Sequence, residues 1–189
     1  MKWRGIIVTV AIVALVVAML RGRAEAAREG YRSNKKSPKD LPKKCKIIGN
    51  PFGPNKPKKG GVARKDVRAT YHFYSPQYET SSLACSDIFW GWKNYGKTLL
   101  KYPWAAYCMK KPWNREKDCG RCLRVTNRGT GASVIVRAVD QGGCTDPKDG
   151  TGLDLDPCAF NAIDTDKHGV RDGNMRVDVE EVDCLDPPR

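Results

Sequence analysis

Cys119-Gly120-Arg121-Cys122-Leu123-Arg124-Val125-Thr126-Asn127-Arg128-Gly129-Thr130-Gly131-Ala132-Ser133-Val134-Ile135-Val136-Arg137-Ala138-Val139-Asp140 is the run on which the fold turns. Its β-branched residues cluster in Arg121–Thr126 and again in Ala132–Asp140, which read as two strands. Asn127–Gly131 between them holds the Asn and Gly residues of a hairpin turn. Working outward, Val67–Tyr74 is rich in β-formers with an imperfect period of two, and Arg176–Val182 gives a further short strand. One helix is well signalled: Asp156 as N-cap, Pro157 at the first helical position, then Cys158 to Ile163. Several short strands around one brief helix predict a mainly β fold, a small barrel.

The chain has 189 residues, with 34 Lys+Arg, 21 Asp+Glu, 8 Cys and 2 His. That length gives one domain plus appendages. An even and high cysteine count is what oxidised, secreted domains use. Two histidines exclude His-rich metal sites, and the usual signatures of nucleotide binding, zinc proteolysis and serine hydrolysis are absent. No cofactor and no metal is expected. The formal charge of +13 is unevenly spread: +3 in residues 1–26, +11 in 27–69 and −1 in 70–189. The body is near neutral, so the charge does not by itself make it a nucleic-acid binder.

Residues 1–26 read as a signal peptide. Lys2 and Arg4 precede an apolar run, Gly5–Leu20, and Ala24-Glu25-Ala26 supplies a small-x-small cleavage pattern. The rival reading is an uncleaved anchor, but sixteen residues span only about 24 Å of a ~30 Å hydrocarbon core. Residues 27–66 read as a flexible basic arm, with Lys/Arg, Pro and Gly in excess and few apolar residues beyond Ile47-Ile48 beside Cys45. Two readings of the arm stand side by side, capture of anionic polymers or membrane surface and a solubilising tether. No aromatic alternates with its cations, so base stacking is not encoded there. The globular domain is taken as 67–189.

Five ordered motifs then carry a family resemblance: Arg68-Ala69-Thr70-Tyr71-His72-Phe73-Tyr74, Cys119–Asn127, Val139-Asp140-Gln141, Gly152-Leu153-Asp154-Leu155-Asp156 and Val182-Asp183-Cys184. With Trp104-Ala105-Ala106-Tyr107-Cys108, which is similar to the family's Trp-Thr-Ala-Phe-Cys, they resemble barwin over residues 67–185. The resemblance implies a six-stranded double-psi β-barrel with a few short helices, as in the class-four pathogenesis-related proteins of plants. It also implies the disulfides Cys85–Cys119, Cys108–Cys144 and Cys122–Cys184; sequence alone permits about 105 pairings of eight cysteines. Cys45 and Cys158 have no counterpart in the family and are expected to bond to each other. Cys119-x-x-Cys122 lacks a second such pair and a nearby His, so it reads as structural.

Metal-free RNA cleavage needs a base, an acid and a cation for the developing charge. Barwin-like proteins include ribonucleases relying on two histidines, and His72 stands on the first position. The second falls in Gly173-Asn174-Met175-Arg176-Val177, where Asn174 replaces it; asparagine orients a phosphate or sugar but moves no proton. His168, six residues upstream, is a loop candidate to compensate. Asp154 lies in a segment similar to that of expansins and related endoglucanases, whose Asp is the general acid. The carboxylate that an inverting hydrolase adds on the first strand is missing from Tyr71-His72-Phe73. A polysaccharide groove lined by Asp154, Asp140, Tyr71, Tyr107 and Trp104 survives that objection; the bland readings are barrel-loop hydrogen bonding for the two carboxylates and core packing for Trp104 and Tyr107. Asp164-x-Asp166-x-His168-Gly169-x-x-Asp172 echoes a calcium loop, but Met175 stands where the bidentate Glu belongs. The acidic segment 138–189 and the basic segment 93–128 fit either a polar cleft or cross-strand pairing.

The reading that follows is a secreted, extracellular or wall-bound defence protein, monomeric, acting against fungus or bacterium by binding chitin or other wall oligosaccharides, with weak ribonuclease activity as an added expectation. Whether it is an enzyme is left open. In the enzyme version His72, Asp154 and Asp140 are catalytic, and Arg124 and Asn174 hold phosphate. In the binding version Tyr71, Trp104 and Tyr107 stack on sugar. Two alternatives are an antimicrobial protein working through its arm and an expansin-like wall-loosening barrel.

Overall fold

The computed structural model describes residues 52–74, 80–91, 98–108 and 113–185. The expected signal peptide and the arm up to residue 51 lie outside the described residues. Six strands, β1 (Ala63–Tyr71), β2 (Trp104–Cys108), β3 (Cys122–Asn127), β4 (Ser133–Asp140), β5 (Gly152–Leu155) and β6 (Met175–Val182), close into a barrel in the order β1-β5-β2-β4-β3-β6. β1 runs parallel to β5 and β2 parallel to β4, while the other neighbours are antiparallel. This is the double-psi arrangement. Among the described residues four short α-helices accompany it: α1 (Ser86–Trp90), α2 (Arg115–Asp118), α3 (Pro157–Ile163) and α4 (His168–Asp172).

The period of two decides what fills the barrel. Val67 and Ala69, Leu123 and Val125, Val134 and Val136, Leu153 and Leu155, and Val177 and Val179 point inward and are buried together. β2 is buried on both faces, because Trp104 and Val139 of β4 pack outward against Leu83, Phe89 and Leu99. β4 is likewise buried on both faces, with Val134, Val136 and Ala138 inward and Ile135 and Val139 outward, which is why Ser133–Asp140 reads as a nearly unbroken apolar run. The β3–β4 hairpin turns at Asn127–Gly131, where Gly131 has φ +73 and donates to the Asn127 carbonyl at 2.8 Å. α3 begins as its sequence dictates: the Asp156 carboxylate accepts from the amides of Cys158 and Ala159, with Pro157 at the start.

Gly152 is required by a close crossing. A Cβ there would lie 1.5 Å from the Gly143 carbonyl oxygen, so the 141–151 loop could not pass over β5. Disulfide Cys108–Cys144 ties that loop to β2. Cys85–Cys119 and Cys122–Cys184 are the other two pairs formed within the described residues. Cys158 is also disulfide-bonded; its expected partner, Cys45, lies outside the described residues.

The boundary at Val67 moves. β1 begins at Ala63, and the chain before it runs along the end of β6. The Lys58 amide donates to the Glu181 carbonyl at 2.9 Å, and the Asp183 amide donates to the Lys56 carbonyl at 2.9 Å. Asn55 is buried and donates to the Tyr102 hydroxyl at 3.0 Å and the Asp183 carbonyl at 2.6 Å. Buried Glu181 gathers Lys58, Arg121 and the Val62 amide. Composition alone makes 55–62 look unstructured, because what holds it is specific pairing and not apolar content.

Candidate functional site

The parallel β1/β5 pair sets the centre. Thr70 stands opposite Asp154 in the register, and both face outward because Ala69, Leu153 and Leu155 face in. The Thr70 hydroxyl donates to Asp154 Oδ1. His72 leaves the strand but keeps the ladder, its amide donating to the Leu155 carbonyl at 2.9 Å. Its ring meets that of Tyr74 edge-on at 5.0 Å, and Tyr74 in turn meets Trp104 at 5.7 Å.

Tyr74 is the residue that the sequence did not single out. Its hydroxyl is buried with no hydrogen-bond partner, the Ala106 backbone lying alongside but outside hydrogen-bond geometry. Burial raises its pKa well above the usual phenol range, and the charges of Asp140, Asp154 and Asp156 add to the rise. In the register Ala106 of β2 stands opposite Asp154 on β5 and Asp140 on β4, so these two carboxylates flank one strand position, while Asp156 is spent on the cap of α3. Asp140, at the end of β4, accepts at Oδ1 from the amides of Ala84 (2.8 Å) and Gln141 (2.9 Å). Asp154 and Asp140 are held by hydroxyl and amide donors, and neither forms an ion pair among the described residues. Tyr74 and Asp156 carry a weak signal in hindsight: one ends the first-strand motif and the other ends the Asp-Leu-Asp motif.

Other expected site residues are elsewhere. Trp104 and Tyr107 are each 1% exposed, so neither offers a ring to sugar. Trp104 donates its indole N–H to the Leu99 carbonyl at 3.0 Å. Tyr107 sits in the barrel core, and burial pushes its hydroxyl pKa up. Tyr71 is partly buried, edge-on to Phe160 at 5.0 Å and Phe73 at 5.8 Å. Arg124, on β3, is spent on Glu180 (3.0 Å) and the Asn55 carbonyl, in a 230 Å³ groove with Arg64, Lys65 and Asp178. The basic and acidic segments thus meet here as a cross-strand pair, Arg124 lying opposite Glu180.

Asn174 belongs to a separate groove of 380 Å³, shared with Asn127, Asp166, His168, Asp172 and Arg176; His72 is not among its lining residues. His168 Nδ1 is 3.4 Å from Asp166 Oδ2. The calcium-like stretch is a turn: Asp164 accepts from the amides of Gly169 (2.8 Å) and Val170 (2.7 Å). Among the described residues no cluster of acidic, His or Cys side chains is arranged to hold a metal ion.

A pair of carboxylates, Asp140 and Asp154, with no ion-pair partner among the described residues suits a ligand that donates hydrogen bonds and carries no negative charge. The Barwin family model matches residues 63–184, and the chain belongs to that family. Among solved structures it is similar to cerato-platanin 3 from M. perniciosa, at 25% identity over 65% of this chain and 95% of that one, with a TM-score of 0.44. Cerato-platanin 2 from the same organism matches at 19% identity over 62% and 94%, with a TM-score of 0.44. An expansin from Clavibacter michiganensis, in its apo form, matches at 20% identity over 66% of this chain and 52% of that one, with a TM-score of 0.42.

Proposed function

We propose that this chain is a secreted, wall-associated defence protein whose β1/β5 face binds neutral wall glycan of the chitin class without turnover. The observation that carries this is the placement of Asp140 and Asp154 on either side of Ala106, with Thr70 opposite Asp154 and bonded to it. Carboxylates accept from sugar hydroxyls and repel phosphate, so the same feature argues against RNA at this centre. Secretion is supported by the disulfides, which persist in oxidising surroundings. Binding without hydrolysis is favoured because Asp140 spends Oδ1 on two loop amides and no carboxylate stands on β1 opposite Asp154. Titration of chitin oligomers tests the reading. Asp154→Asn is expected to weaken binding about tenfold, the size of one lost charge-assisted hydrogen bond, and added salt to change affinity little. Wild-type affinity in Asp154→Asn, or binding that collapses in salt, sinks it.

A ribonuclease reading has one observation in its favour, His168 beside Asn174 in a common groove. It predicts metal-free RNA cleavage that is lost in His168→Ala and gained on Asn174→His. Loss on His72→Ala instead would return catalysis to the β1/β5 face.

A further inference from the structure

Trp90 is the most exposed of the large apolar side chains described, 72% open to solvent, whereas Trp104 and Tyr107, the aromatics expected to stack on sugar, are buried. It ends α1, and the helix repeat puts Asp87, three positions earlier, on the same face. Phe89 turns the other way and is buried in one cluster with Trp104 and Val139, which fixes the face of α1 that meets water. Arg115, at the start of α2, donates to Asp87 Oδ1. Disulfide Cys85–Cys119 clamps the residue before α1 to the residue after α2, so ring, carboxylate and guanidinium stand on two fastened helices. A lone exposed aromatic is commonplace. An aromatic rimmed by a paired acceptor and donor on a fixed frame has the composition of a recognition patch.

The patch is continuous with the carboxylate pair. The Ala84 amide, just ahead of α1, donates to Asp140 Oδ1 at 2.8 Å. From Ala84, Asp87 lies about one helical turn on and Trp90 about 9 Å on, within the reach of a short oligosaccharide that starts at Asp140. We propose that Trp90, Asp87 and Arg115 form a subsite for an N-acetylated sugar, taking the glycan chain onward from Asp140 and Asp154. This rests on the glycan reading of the β1/β5 face. The indole offers a flat apolar surface to the C–H face of a pyranose. An acetamido group carries an N–H donor and, set apart from it, a carbonyl acceptor. Asp87 has lone pairs beyond those given to Arg115 and the Ile88 amide, and Arg115 has N–H groups beyond the one given to Asp87, so the pair answers both halves of that group. A glucan hydroxyl has donor and acceptor on one oxygen and spans less of the pair. The pair is also neutral overall, which suits an uncharged sugar and gives a polyanion no purchase.

The test uses the full chain, with chitin hexasaccharide and cellohexaose as probes. Wild type is expected to prefer the chitin oligomer. Trp90→Ala is expected to weaken that binding about tenfold, the scale of one aromatic anchor, with an unchanged thermal midpoint, and Trp90→Phe to retain part of it. Asp87→Ala is expected to lower the preference for chitin over the glucan about threefold, the scale of one hydrogen bond. Oxidation of Trp90 by N-bromosuccinimide, located by tandem mass spectrometry, is expected to slow when the chitin oligomer is bound. Weakening by Asp154→Asn with none by Trp90→Ala, or wild-type preference in Asp87→Ala, overturns the subsite and leaves the glycan reading standing. Weakening by Trp90→Ala with none by Asp154→Asn keeps the subsite and overturns the β1/β5 reading. Protection of Trp90 that grows with protein concentration in the absence of sugar makes a second copy the occupant and overturns the proposal. Absence of any chitin binding overturns both.

Discussion

Tyr74 joins two demands that pull apart. Its ring is packed between His72 and Trp104, while its hydroxyl is buried without a hydrogen bond, within reach of the charges of Asp140 and Asp154. Leaving a buried hydroxyl unsatisfied costs about 1–3 kcal/mol, so a residue chosen for stability alone would be Phe. Tyr74→Phe retains both edge-on ring contacts and is expected to leave the thermal midpoint unchanged or raise it, with stability higher by about 1 kcal/mol. If the phenol orders the carboxylates for sugar, the same variant weakens chitin-oligomer binding while unfolding no more easily. A clear fall in the midpoint would mean that the hydroxyl has a structural partner and that the carboxylates do not depend on it. Asp154 behaves differently, because Thr70 holds it from the neighbouring strand. Thr70→Val keeps the β-branched shape and removes the donor, and is expected to reduce glycan binding by less than Asp154→Asn does.

The short elements show where sequence was legible and where it was not. Pro157 behind Asp156 announces α3, and Asn127–Gly131 announces the β3–β4 turn, because caps and turns depend on residues adjacent in the chain. β2 is five residues buried on both faces, and β5 is four residues long; neither shows alternation, so only the family resemblance gave them away. Asp154 and His72 were visible in their motifs. Trp104 and Tyr107 misled, since an aromatic in a motif looks the same whether it stacks on sugar or fills a core. Tyr74 escaped because its neighbours, Trp104 on β2 and Asp140 on the strand paired with it, are 30 and 66 positions away in the chain. Segment 55–62 escaped for a similar reason, its partners lying on β6. Asn55→Ala removes two hydrogen bonds from a buried position and is expected to cost about 2 kcal/mol by denaturant unfolding. Gly152→Ala is more severe. The added methyl has nowhere to go but into the Gly143 carbonyl, and the 141–151 loop, which ends at the site-side strand β5, has to move. Loss of several kcal/mol, together with loss of glycan binding, is the expected outcome; a neutral result would show that the loop does not cross there.

Across the whole molecule, carboxylates tie the barrel to its surroundings. Asp66, at a bulge in β1 with φ 57, pairs with Lys148 (2.7 Å), Arg176 (2.8 Å) and Arg128 (2.8 Å). Arg176 also reaches Asp146 at 2.6 Å, and Asp178 pairs with Lys65 at 3.0 Å. At the other end of β6, Glu181 takes Lys58 and Arg121. These partners lower each carboxyl's pKa. For Asp66 the leading cause is Lys148, for Asp146 and Asp178 it is a backbone amide, and for Glu181 the cations and the Val62 amide outweigh an opposing burial effect. A carboxyl whose folded pKa lies below its unfolded one contributes stability that is fully present above the unfolded value and is lost as pH falls through the folded value. The unfolded values are 3.8 for Asp and 4.5 for Glu. The midpoint is therefore expected to stay nearly level from neutral pH down to about 5 and then to drop steadily below about 4. Asp146→Asn breaks the Arg176 pair at a buried position, so it is expected to lower the midpoint at neutral pH and to flatten the acid limb, the gap between wild type and variant closing as pH falls below the ordinary carboxylate range. Much of the Asp66 group is exposed, so high salt should lower the neutral-pH midpoint by only a little. A midpoint that rises on acidification, or an acid limb of equal slope in Asp146→Asn, would show that these pairs do not hold the loops to the barrel.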